Sequence, residues 1–104
     1  MEDKITKLEE IKNKISNYNI LGAFKMLHDF KDALEILNTI EISQYLTLST
    51  QKKDLIELIG DFDDKAYKLA NNPNPNINTR KKFYSYQRRG EIILNRIVFL
   101  IKPR

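Results

Sequence analysis

The sequence predicts an all-α fold, an antiparallel bundle of four to five helices. Three observations lead there. Apolar residues recur at steps of three and four along most of the chain, the period of a helix with one buried face. Three Gly and three Pro in 104 residues leave few places to turn, so the elements must be few and long. No stretch alternates apolar and polar residues between turn signals, so nothing reads as a strand. With 41% apolar and 31% charged residues, the chain reads as a single domain, residues 1–104, around one modest core.

Each element has its own justification. Ile5, Leu8, Ile11 and Ile15 stand at steps of three, three and four and form the stripe of a first helix, with Asp3 as its N-cap. "SNYN", residues 16–19, supplies turn chemistry, and Asn19 is placed to cap a second helix. Ile20, Ala23, Met26 or Leu27, and Phe30 share one side of that helix, which continues to about residue 40 with a bend near Lys31. A third and longer helix runs from Ile42 to about Ala70 on Leu48, Leu55, Ile59, Phe62, Ala66 and Leu69. Lys52 interrupts its stripe, and Gly60 inside it costs about 1 kcal/mol relative to Ala. "NNPNPNINT", residues 71–79, is the clear loop, because each Pro disfavours helix for the residue before it. Asn78 or Thr79 then caps a last helix, which runs to about Lys102, before Pro103. There Phe83, Tyr86, Gly90, Ile93, Ile97 and Leu100 share the core face.

Composition narrows the function classes. With no Cys there is neither a disulfide framework nor a thiolate metal site, and a reducing cytoplasm is the natural compartment. The opening "MEDKITKLEE" is charged and helical in pattern, without the apolar core of a signal peptide. "IVFLI", residues 97–101, is the longest uncharged apolar run and is far short of the ~20 residues of a membrane span. His28 is the only histidine, so neither a His-based triad nor a multi-His zinc site can be built. "GDFDDK", residues 60–65, lacks the glycine and glutamate positions of a calcium loop. No catalytic, metal or cofactor-binding residues are expected, and the chain reads as a non-enzymatic binding protein.

Charge layout points to where it binds. Residues 1–78 hold ten Lys/Arg and thirteen Asp/Glu, a balance of −3, whereas residues 79–104 hold eight Lys/Arg against Glu91 alone, +7. Such asymmetry suits an anionic partner, or two opposed faces that attract each other between copies. On the last helix Arg88, Arg89 and Arg96 frame Ile92 and Phe99, two apolar residues turned away from the core face, the make-up of an interface hot spot. Asp54, Glu57, Asp61 and Asp64, at steps of three, four and three, form an acidic stripe on the third helix. The plainer reading of that stripe is a solvated face with Asp61–Lys65 and Asp64–Lys68 as i, i+4 pairs. "RKKFYSYQRR", residues 80–89, interleaves basic and aromatic residues as single-strand nucleic-acid binders do, but the core claims Phe83 and Tyr86 and leaves Tyr84 as the free ring.

Three segments carry a family resemblance. "IKNKISNYNILGAFKMLHDF", residues 11–30, resembles the opening of the prokaryotic effector-associated domains of type eleven, with Ala23, Phe24 and Leu27 in the places of an "AL-x-x-L" helix. "LTLSTQKKDL", residues 46–55, resembles the family's second motif through Ser49 and Leu55, and Asn95, Arg96 and Ile97 match the Asn-Arg-Ile of its closing helix. The resemblance implies a death-like helical adaptor that recruits effectors in bacterial anti-phage or self-killing systems by like-with-like contacts. A protein partner or homotypic self-association is therefore the leading expectation. A helical bundle resembling the immunity proteins against membrane-active bacteriocins, and a basic nucleic-acid accessory protein of phage or plasmid origin, are the competing ones.

Overall fold

The computed structural model describes residues 1–41, 45 and 47–103. α1 (Glu2–Asn17), a 3-10 turn (Ile20–Gly22), α2 (Ala23–Asn38), α3 (Leu48–Ala70) and α4 (Ile77–Ile101) follow in order, with no strand among the described residues. α1 buries Ile5, Leu8, Ile11 and Ile15, as their spacing requires. It starts at Glu2 with Met1 at the cap position, so Asp3 lies in the first turn instead of capping it. There its charge meets the positive end of the helix dipole. Asn19 Oδ1 accepts from Leu21 N–H at 3.0 Å and so caps the 3-10 turn that leads into α2. α2 is one helix through Lys31, buries both Met26 and Leu27, and stops at Asn38, short of the expected residue 40. The expected start of the third helix at Ile42 lies outside the described residues, as does Leu46 of the second motif.

α3 adds Gln51 and Leu58 to its expected buried stripe and leaves Ile59 only partly covered. α4 begins at Ile77, two or three residues earlier than a cap at Asn78 or Thr79 would place it. Asn76 Oδ1 accepts from Thr79 N–H at 2.9 Å and from Thr79 Oγ1–H at 3.0 Å, so Asn76 is the cap, in place of Asn78 or Thr79. Asn76 directly follows Pro75 and holds the extended backbone a cap requires. The buried face of α4 is wider than six residues, taking in Gln87, Leu94, Val98 and Ile101, because α4 packs on both α1 and α3.

Sequential helices run antiparallel in a bundle of about 46 × 21 × 18 Å. At one end the Lys4 ammonium donates to Thr39 O at 2.9 Å, joining the start of α1 to the finish of α2. At the other end the Phe24 and Tyr67 rings, early in α2 and late in α3, stand 6.1 Å apart. α2 and α4 also touch across the diagonal. A Cβ on Gly90 would lie 2.6 Å from Phe30 Cζ and closer still to Cε1, so only glycine lets α4 take that ring against its backbone. Phe30 in turn meets Phe62 edge-on at 5.9 Å.

Polar groups fix the α1–α2 corner. Gln87 Nε2 donates to Ile15 O at 2.7 Å, which also accepts from Tyr18 N–H at 3.4 Å, and to Tyr18 O at 2.8 Å, tying α4 to the C-terminal cap of α1. The Tyr18 hydroxyl donates to the buried Asp29 at 2.6 Å. Burial first, and the Asp29 carboxylate second, push that hydroxyl up to about 12.

Candidate interaction surface

α4 carries two populations of side chains. Its inner face fills the core, while Arg88, Arg96 and Phe99 stand exposed and Ile92 is half-covered. Phe99 is 66% exposed, a large ring held out from a helix that had core positions available on either side of it. Arg88 pairs within its own helix with Glu91 at 3.6 Å. Arg89 turns toward α3 instead, and its Nη2 donates to Asp61 Oδ2 at 3.1 Å. The expected basic face is therefore split, with Arg89 spent on holding α3 and the other four residues left outward.

The acidic stripe does not form an opposed face. Asp54 and Glu57 line a cleft of about 260 Å³ together with Arg89, Ile92, Ile93 and Arg96. Acidic and basic residues that the sequence places 30 to 40 positions apart thus lie side by side in one antiparallel helix pair. Asp61 belongs to the same edge through its bridge to Arg89, in place of the expected pair with Lys65. Lys65 leans over the Tyr86 ring, 5.9 Å from its centre. Hydrogen bonding to Tyr86, more than the fields of Asp64 and Asp61, raises that ammonium above its ordinary value. Asp64 remains exposed on α3, outside the cleft residues.

Toward the finish of α4 a second hollow of about 480 Å³ is lined by Thr47, Gln51, Asn95, Arg96, Phe99 and Leu100. Arg96 borders both hollows, so the two form one groove along α3 and α4. Gln51 is buried, and its Oε1 has no hydrogen-bond donor among the described residues. An unsatisfied buried acceptor costs about 1–3 kcal/mol. Thr47 holds a left-handed backbone, φ 68°, unusual for a β-branched residue and a second local cost at the same place. Neither Gln51 nor Thr47 was singled out from the sequence. Gln51 does fall on the helical stripe between Leu48 and Leu55, and a polar residue at a core register was the available signal.

Elsewhere the chemistry is sparse. His28 is exposed and meets the Phe24 ring edge-on at 4.7 Å. Among the described residues no group of three or more His, Asp or Glu side chains is gathered as a metal site, and no helix is long and apolar enough to cross a membrane. Compared with known proteins, the chain matches no family model, no curated protein and no solved structure. The groove offers an apolar ring, two signs of charge and the exposed amide of Asn95.

Proposed function

We propose that the chain is a non-enzymatic, cytoplasmic protein-interaction adaptor whose contact surface is the outer side of α4 with the α3–α4 groove. Phe99 carries this reading: a phenylalanine two-thirds exposed, at the rim of a groove lined by Thr47, Gln51, Asn95 and Arg96. Arg88, Ile92 and Arg96 surround it with the cationic and aliphatic groups enriched at interface hot spots. The Asp54–Glu57 edge gives the same groove an acidic side, so a partner must offer both signs in the right order, which favours specificity. Recruiting effectors in a bacterial anti-phage or conflict system, the role implied by the effector-associated resemblance, uses such a surface, with either another protein or a second copy as partner.

The test is affinity capture from the native host with the wild type, Phe99→Ala and Arg96→Glu, each checked for fold by circular dichroism. A specifically captured protein, or self-association, should weaken about 30-fold or more with Phe99→Ala, the loss of a ~2 kcal/mol hot spot. Added salt should weaken it only moderately, since the apolar contribution is not screened. Capture of nucleic acid with a steep salt slope, indifferent to Phe99→Ala, would overturn the reading.

A further inference from the structure

We propose that the end of the bundle formed by the α1–α2 corner and the α3–α4 loop docks on an anionic membrane surface. This surface is separate from the Phe99 groove and stands or falls without it. The fold brings two segments together there: residues 14–25, across the corner, and residues 64–84, across the loop. The 3-10 turn at Ile20–Gly22 touches both α3 and α4, and Phe24 meets Tyr67, so the segments share one end. Together they hold seven Lys/Arg, namely Lys14, Lys25, Lys65, Lys68 and residues 80–82, against Asp64 alone, a balance of +6. The other 71 residues hold eleven Lys/Arg and thirteen Asp/Glu, a balance of −2.

All seven cations are exposed, and among the described residues none of them is in an ion pair. Elsewhere Lys31, Arg88, Arg89 and Lys102 each have a carboxylate within 4 Å, while among the described residues Lys7, Lys12, Lys52, Lys53 and Arg96 are in no such pair. What sets this end apart is therefore its local balance of charge. Three of the seven, Lys65, Lys68 and Lys82, line a cleft of about 310 Å³ with Asn72 and Tyr86, room for a phosphate headgroup. Asp64 and Asp61 act on Lys65, but the local excess of positive charge remains and suits an anion from outside the chain.

The apolar side chains choose which anion. Leu21 and Ile77 are 69% and 68% exposed at this end, and Tyr67, Tyr84 and Phe24 flank them, also exposed. Leu and Ile have no ring to stack on a base, whereas burial in an acyl layer returns about 25 cal/mol per Å² of their surface. The rings do not form a stacking platform: Phe24 packs edge-on against both His28 and Tyr67. Six of the seven exposed cations are lysine, Arg80 being the exception, and lysines are point charges on long stems that suit headgroups. Binding at a membrane surface strengthens with buried apolar area and with attraction to anionic lipids, and this end offers both.

Flotation with lipid vesicles tests this directly. The wild type should float with phosphatidylglycerol-containing vesicles and stay behind with pure phosphatidylcholine. Lys68→Glu with Lys82→Glu should lower binding at least about tenfold, since each cation near the surface contributes on the order of a kcal/mol. Leu21→Ser with Ile77→Ser should lower it several-fold while leaving the charge intact. Phe99→Ala should bind vesicles as the wild type does, which separates this surface from the groove. Failure to float with anionic vesicles, equal binding to both vesicle types, or a single-stranded oligonucleotide that binds more tightly and ignores Leu21→Ser with Ile77→Ser, would each overturn the proposal.

Discussion

The same two helices, α3 and α4, build two clefts with opposite electrical characters. Midway along them Arg89 bridges Asp61, and Asp54 and Glu57 sit across from Arg96, so that charge is largely matched within the chain. Nearer the loop, Lys65, Lys68 and Lys82 share a cleft that has no carboxylate among its lining residues. The first cleft can meet a partner through its shape, its exposed ring and charges of both signs, because of its lining charges only Arg89 is already bridged, to Asp61. The second cannot lower its own field and needs a counter-charge from outside. Net charge, +4 for the chain, conceals both facts.

The largest expected effect breaks the comparison at its root. Phe62 is fully buried on α3, the helix both clefts share, packed on Phe30 at 5.9 Å and on Tyr86 at 4.8 Å. Phe62→Ala should cost about 3–5 kcal/mol in denaturant unfolding, much of a small domain's stability, and should degrade both surfaces together. A loss below 1 kcal/mol would mean that the two clefts do not share this support.

Next in size is a contrast between glycines. Gly90→Ala should destabilise by about 1–3 kcal/mol, because the new methyl displaces the fully buried Phe30 ring and outweighs the gain in helix propensity. Gly60→Ala, with nothing within 4 Å of its added Cβ, should stabilise by up to about 1 kcal/mol. Equal shifts in melting temperature for the two would contradict the close α2–α4 approach.

These two glycines show how far the sequence could be read. Periodicity located four helices and the whole buried face of α1, because burial of one face is a local, repeating requirement. It missed Ala33, Leu37, Leu58, Leu94, Val98 and Ile101, which helices packed on more than one side bury. Gly60 and Gly90 look alike in that reading, since what Gly90 meets is a ring 60 positions away. The same limit hid the Arg89–Asp61 bridge and the Gln87 bonds to Ile15 and Tyr18, which depend on how helices are set against one another. Arg88, Arg96 and Phe99 were legible as outward-facing from the helical wheel alone. That the acidic stripe shares their groove was not, nor that residues 80–82 belong with Lys14, Lys25, Lys65 and Lys68 at the far end.

A smaller effect sharpens the difference between the clefts. Gln51→Leu removes the unpaired oxygen while nearly keeping volume, and should raise stability by about 1 kcal/mol. The same change alters a side chain that lines the groove and none that lines the basic cleft, so it should leave vesicle binding untouched. Destabilisation instead would show that Gln51 serves the fold and not the groove.

The most direct test of the adaptor reading is quantitative capture from the native host, comparing Phe99→Ala with the Lys68→Glu, Lys82→Glu double variant. The expected result is that Phe99→Ala loses the captured protein about 30-fold or more while the double variant retains it. Retention by Phe99→Ala with loss in the double variant would contradict the account, placing recognition at the basic end and leaving the groove without a role.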